Sequence, residues 1–126
     1  MSLMEVAHAL VDGCRTGKDS DNLDVLYAPD AVSAEAMTMP GVDMPREIQG
    51  IEAIKGKHAW WNSTMEVLEA DVGDPMLHGE DRFAVIFRMK AKERASGEVS
   101  EMEEVGVYTV RDGKIVREEF FYAMPG

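Results

Sequence analysis

The chain has 126 residues, 45% of them hydrophobic, and a formal charge of −11 from 13 Lys and Arg against 24 Asp and Glu. This length and composition predict one globular domain over residues 1–126, and they disfavour a disordered or fibrous protein. The acidic excess, which no basic cluster offsets, argues against nucleic acid or an anionic membrane surface as a partner.

The single cysteine, Cys14, excludes an intrachain disulfide and suits a reducing compartment. The first fifteen residues lack a basic leader and carry Glu5 and Asp12 within the apolar stretch, so we expect no signal peptide. The longest apolar run, residues 83–87, is too short to span a bilayer. We therefore expect a cytoplasmic protein.

Two short helices are predicted to open the chain. Apolar residues from Leu3 to Cys14 recur at helical spacing, and Gly17 follows as a typical helix terminator. A second short helix is predicted through Leu23 and Tyr27, because polar residues precede it and a proline follows it.

A brief strand is predicted over residues 31–36, and a loop rich in Met, Pro and Gly follows it. The loop contains Met37, Met39 and Met44. Methionine adapts its shape to its surroundings, so the loop suits a lid over an apolar ligand. It equally suits a plug that fills the open end of the fold together with Trp61.

A third helix is predicted to begin near Gly50, because Ile51, Ile54, His58 and Trp61 then share one face. After it the apolar period changes to two, which predicts four strands, over residues 67–77, 83–92, 98–110 and 114–122.

The dipeptide Asp112-Gly113 joins the last two strands, and it is typical of a type I′ hairpin turn. The predicted register pairs Val110 with Ile115 beside the turn and continues, away from it, to Val107 with Glu118, Val105 with Phe120 and Glu103 with Tyr122. A bulge in these long strands would exchange the faces of their far ends.

One face of this predicted hairpin is the more apolar, and we expect it to line a pocket. The opposite face would carry Tyr108, Val110, Ile115 and Phe121 among charged residues, which suits the interface of a homodimer. An Ile115→Asp variant would then dissociate without unfolding.

The order of these elements resembles the nuclear transport factor 2-like superfamily, which includes SnoaL-like polyketide cyclases and ketosteroid isomerases. The resemblance rests on residues 26–31 (LYAPDA), 50–54 (GIEAI) and 112–115 (DGKI) and covers almost the whole chain. It implies an α+β fold in which a cone-shaped, strongly curved mixed or antiparallel sheet wraps around three N-terminal helices. It also implies a mostly apolar pocket at the open end of the cone and frequent homodimers.

Three residues are candidates for acid-base catalysis. Glu35 stands where the ketosteroid isomerase pattern has its proton-abstracting carboxylate, although the alternation of residues 32–36 also fits a solvated side chain. Glu118 lies on the apolar hairpin face, where desolvation would favour its protonated form, or else it pairs with Arg88 or Lys90. His58 either reaches the pocket or is a hydrogen-bonded, half-buried side chain.

The sequence therefore predicts a protein that binds a small apolar or amphipathic molecule. If it is an enzyme, its side chains fit cofactor-free acid-base chemistry of the isomerase, cyclase or hydratase type. No metal site is expected, since the three histidines lie far apart. The alternative is a non-catalytic dimeric binding or adaptor module with a plugged pocket. The residues expected to line the pocket are Trp61, Phe87, Met89, Glu103, Val105, Val107, Phe120 and Tyr122.

Overall fold

Three helices and seven strands make up the computed structural model, which describes residues 1–38 and 43–123. The helices are α1 (Leu3–Thr16), α2 (Leu23–Leu26) and α3 (Ile51–Thr64). The strands are β1 (Tyr27–Ala34), β2 (Glu47–Gln49), β3 (Met65–Val72), β4 (Met76–His78), β5 (Arg82–Glu93), β6 (Val99–Arg111) and β7 (Lys114–Phe121). None of the helices described is long and apolar enough to cross a membrane.

Local signals at both ends define α1. Ser2 and Glu5 form a capping box at its start, in which each side chain accepts a hydrogen bond from the backbone of the other. Gly17 ends the helix in the left-handed conformation, at φ 73°. Val6 and Leu10 lie on its buried face, as the apolar spacing predicts.

The strands form one mixed sheet in the order β2-β1-β7-β6-β5-β3, and β4 pairs with part of β5. The pair β1 and β7 is parallel and the other pairs are antiparallel. The helices pack on one side of this curved sheet, where α1 contacts β3 and β5 and α3 contacts β1, β2 and β3. The predicted α+β cone is confirmed. We call the side of the sheet that faces the helices the inner face, and the opposite side the outer face.

The predicted strand over residues 67–77 is two strands, β3 and β4, with a break at residues 73–75. Pro75 cannot donate a ladder hydrogen bond. Arg15 of α1 holds the break in place, since its Nη2 donates to the Val72 carbonyl at 2.7 Å and to Asp74 Oδ1 at 2.9 Å. Strand β2, at the far edge of the sheet, was not predicted, because three residues carry too little pattern.

The turn between β6 and β7 is as predicted, since Asp112 and Gly113 both have positive φ, 53° and 75°. Val110 pairs with Ile115 beside it. A bulge then shifts the register between Thr109 and Val110, so that Glu118 pairs with Tyr108 rather than with Val107. The predicted pairing beyond the turn is therefore wrong by one residue.

The burial of its residues overturns the predicted dimer face. Tyr108, Val110 and Ile115 are 2%, 8% and 0% exposed, and they pack in the core between the sheet and the helices. Only Phe121 of that predicted set is exposed. The three buried residues cannot form an interface between subunits, because their own chain covers them.

Candidate functional site

The buried residues of β6 identify the inner face of the sheet. Gly106, Tyr108 and Val110 are buried and alternate along the strand. Gly106 and Tyr108 pair with the buried Val85 and Phe83 of β5. Since side chains at every second position of a strand share a face, Glu104 also lies on the inner face.

Three of the predicted lining residues lie on the outer face instead. Val105 and Val107 alternate with the buried residues of β6. Glu103 is on the same outer face, where the Arg88 guanidinium donates to its carboxylate at 2.6 Å. The prediction was wrong here because it extended the register of the turn past the bulge.

The structure places Phe87 and Phe120 on the inner face, where each approaches Gly106. A Cβ at position 106 would lie 3.0 Å from the Phe87 ring and 3.0 Å from the Tyr108 ring, so only glycine lets these rings come together. The Tyr108 and Phe120 rings meet edge to face, with centroids 6.3 Å apart. Aromatic rings thus cover the inner face of the sheet around Gly106.

Met89 and Trp61 are not among the hydrophobic residues packed against the core. Met89 occupies the next inner-face position of β5 after Phe87 and pairs with Met102 of β6. Trp61 is half-buried on α3, and Met37 is half-buried after β1. The expectation that Met39 covers or plugs the open end lies outside the described residues.

Glu35 lies in a polar cluster between β1 and α3. The Lys57 ammonium contacts Glu35 Oε1 at 2.5 Å and donates to the Ser33 hydroxyl at 2.8 Å. The Tyr122 hydroxyl donates to Glu35 Oε2 at 3.0 Å. Lys57 also lies 5.0 Å above the centroid of the Phe120 ring, at cation–π distance. The Glu35 carboxylate is therefore ion-paired and hydrogen-bonded rather than solvated.

Lys57 was not singled out from the sequence, although a signal was present. It follows Ile54 by three residues and precedes Trp61 by four, so it belongs to the apolar stripe of α3. A lysine on such a stripe needs a partner, and its side chain is only 14% exposed here.

Glu118 is the most deeply placed carboxyl of the inner face, at 3% exposure. The Tyr27 hydroxyl of β1 donates to its Oε2 at 2.5 Å. Burial, and next the charge of Glu118, hold the pKa of Tyr27 well above its usual range. The alternative pairing of Glu118 with Arg88 or Lys90 is wrong, since both lie on the outer face.

Glu104 was also missed by the sequence reasoning. Its pKa is raised from 4.5 to about 7, chiefly by burial and next by the negative charge of Glu35, while the Lys57 ammonium acts in the opposite direction. Both protonation states of Glu104 are therefore populated near neutral pH.

His58 does not face this cluster. Its Nδ1 lies 3.0 Å from the Ser20 hydroxyl and 3.5 Å from Asp19 Oδ2, in the connection between α1 and α2. Both partners approach the same ring nitrogen, so the three side chains do not form a nucleophile-base-acid relay. The hydrogen-bonded, half-buried alternative describes His58.

Two other kinds of chemistry, catalysis by the Cys14 thiol and metal binding, depend on the thiolate population and on how the ligating side chains are arranged. Burial raises the pKa of the Cys14 thiol to about 12, so the reactive thiolate is scarce at neutral pH. In residues 1–38 and 43–123, no group of three or more His, Cys, Asp or Glu side chains is arranged to hold a metal ion.

A separate open groove of about 520 Å³ crosses the middle of three neighbouring strands. None of the residues of the polar cluster lines it, so we place the candidate site at the cluster, where the buried polar contacts are. The groove is lined by Glu69, Ala70, Asp71, Arg88, Met89, Lys90, Glu101, Met102 and Glu103.

Comparisons with known proteins agree with this architecture. The SnoaL-like domain family matches residues 7–118. A candidate SnoaL-like polyketide cyclase [carbohydrate phosphatase] from Mesorhizobium loti is 34% identical, with 97% of this chain and 100% of that chain covered and a TM-score of 0.87. No protein with curated functional information matches the chain.

Two more distant structures share the fold alone. A candidate isomerase from Bacillus subtilis is 18% identical, with 98% and 90% of the two chains covered and a TM-score of 0.80. A protein with a cystatin-like fold from Xanthomonas campestris is 21% identical, with 98% and 92% covered and a TM-score of 0.76.

Proposed function

The chain belongs to the SnoaL-like domain family, and from this we propose that it binds a small, largely apolar molecule on the inner face of its sheet and moves a proton on it without a cofactor. The reaction is of the isomerase, cyclase or hydratase type. The observation that carries the proposal is the polar cluster of Glu35, Lys57 and Tyr122 beside the aromatic rings of the inner face.

Lys57 is suited to stabilise negative charge on a ligand oxygen. An ammonium group has three N–H donors. Two of them are directed at Glu35 and Ser33, which leaves one for a carbonyl oxygen of the ligand. Such a donor, held in place before the reaction, stabilises the oxyanion that forms when a neighbouring carbon loses a proton.

The names of the relatives are consistent with this chemistry. The Mesorhizobium loti protein is described as a candidate cyclase and the Bacillus subtilis protein as a candidate isomerase. Cyclisation and isomerisation of carbonyl compounds can both begin with removal of a proton beside the carbonyl group. A carboxylate and a fixed hydrogen-bond donor next to an apolar surface suffice for that step.

Binding of 2-tetralone, a small apolar ketone, tests the proposal. We expect resonances of Phe87, Phe120 and Tyr122 to shift in NMR titrations, because the ketone stacks on the inner face. Lys57→Met should bind at least about tenfold more weakly, equal to about 1.4 kcal/mol. Lys55→Met, which removes from the same helix a lysine that pairs with Asp24 of α2, should bind like the wild type. Absence of binding at millimolar ketone would contradict the proposal and favour the plugged, non-catalytic module.

We also propose that the chain forms a homodimer through its outer face. Val105 pairs with Ile86 on one side and with Phe121 on the other, so the three side chains form an apolar band. Phe121 is 49% exposed, and a second copy would cover it. We expect sedimentation at micromolar concentration to give a dimer for the wild type and a folded monomer for Phe121→Asp. A monomeric wild type would exclude this interface.

A further inference from the structure

The carboxyl groups on the inner face differ in how their oxygens are occupied. Both oxygens of Glu35 have partners, since Oε1 contacts the Lys57 ammonium and Oε2 accepts from Tyr122. Glu118 accepts from Tyr27 and is 3% exposed between β1 and β7. Both oxygens of Glu35 are therefore occupied, and the Glu118 carboxyl is too deeply buried for a ligand to reach easily.

Glu104 is placed differently. It pairs with the inward-facing Phe87 of β5 and lies two positions from Gly106, beside the aromatic rings. No hydrogen bond to its carboxyl is found within residues 1–38 and 43–123, and every fully buried polar side-chain atom described there has a partner. Within the described residues, the Glu104 oxygens are therefore neither hydrogen-bonded nor fully buried, which leaves them available to a ligand.

We infer that Glu104, and neither Glu35 nor Glu118, is the catalytic base of this site; the inference rests on the proposed function. In the step, a Glu104 carboxylate oxygen takes a proton from the carbon beside the ligand carbonyl. The electrons of the broken C–H bond form the C=C bond of an enolate, and the carbonyl oxygen gains the negative charge. Lys57 donates a hydrogen bond to that oxygen. The carboxyl proton of Glu104 exchanges with solvent, and Glu104 then delivers a proton, or in D₂O a deuteron, to the same carbon.

The groups around Glu104 set the pH at which it acts. The charges that act on Glu104 are Glu35, which directly follows β1, Lys57 of α3 and Glu118 of β7. Tyr108 of β6 and Tyr122 also lie close enough to feel its charge. Burial and the two carboxylates raise the pKa of Glu104 to about 7, so its basic form accumulates as the pH passes neutrality.

Exchange of the α-protons of 2-tetralone for deuterium, followed by proton NMR in D₂O, tests this assignment. For the full-length wild-type protein, the exchange rate at saturating ketone should rise through about pH 7 and then level off above the hydroxide background. The exchange rate of Glu104→Gln should be at least about 100-fold lower than that of the wild type, while the variant still binds the ketone. Glu103→Gln, a change at the neighbouring residue on the outer face, should retain it.

The outcomes separate this inference from the proposed function. If the wild type neither binds 2-tetralone nor exchanges its protons, the proposed function fails together with the inference. If the wild type exchanges them and Glu104→Gln exchanges them equally fast, only the inference is overturned. Exchange that is lost in Glu35→Gln but retained in Glu104→Gln would make Glu35 the base instead.

Discussion

An Ile115→Asp variant is expected not to fold. Ile115 is 0% exposed and pairs with Tyr27 of β1 and Val110 of β6, at the centre of the core. The substitution removes about 1.5–3 kcal/mol of apolar burial, and it adds a buried carboxylate that costs several kcal/mol more. Together these approach the 5–15 kcal/mol that typically stabilises a domain of this kind. Circular dichroism and urea unfolding measure the loss.

Phe121→Asp is the matched control, because it introduces the same charge on the same strand. Phe121 is 49% exposed on the outer face, so we expect this variant to fold and to lose less than about 1 kcal/mol as a monomer. An Ile115→Asp protein that folds normally and only dissociates would contradict the burial of Ile115 described here and restore the dimer face predicted from the sequence.

A Tyr27→Phe variant is expected to be less stable by about 3 kcal/mol at pH 7. Its hydroxyl donates to the buried Glu118 carboxylate at 2.5 Å, and without it a buried charge keeps fewer hydrogen bonds. Urea unfolding of the single and double variants measures the effect. The double variant Tyr27→Phe/Glu118→Gln should lose less unfolding free energy than the sum of the losses of the two single variants, because both changes remove the same interaction.

Tyr122→Phe is the control for this second prediction. The Tyr122 hydroxyl also donates to a glutamate, but Glu35 keeps its contact with Lys57. We expect a loss of only about 0.5–1.5 kcal/mol. A Tyr27→Phe protein as stable as the wild type would show that the Tyr27–Glu118 hydrogen bond contributes nothing to folding.

The helices and the last turn could be read from the sequence because short-range interactions determine them. Each of these signals acts within a few residues: the capping box of Ser2 and Glu5, the helix-terminating Gly17, and the Asp112-Gly113 turn. The bulge beside Thr109 could not be read in this way. It depends on how β7 fits between β6 and the parallel β1, which are contacts distant in sequence.

The candidate site was predictable only in part for the same reason. The family resemblance identified Glu35, and the apolar pattern placed Phe120 and Glu118 on one face. Glu104 was assigned to the wrong face, because the bulge in β7 changes which residues of β6 share a face with Glu118 and Phe120. Lys57 was overlooked because its partners Glu35 and Ser33 come from a strand more than twenty residues earlier.

Site-specific carbon NMR titration of the Glu104 carboxyl, with and without 2-tetralone, shows whether the inner face holds a proton-exchanging group in contact with the ligand. We expect a midpoint near 7 in the free protein, because burial and the charge of Glu35 raise the pKa of Glu104, and a different midpoint once the ketone is bound. A midpoint near 4.5 that the ketone leaves unchanged would contradict the account.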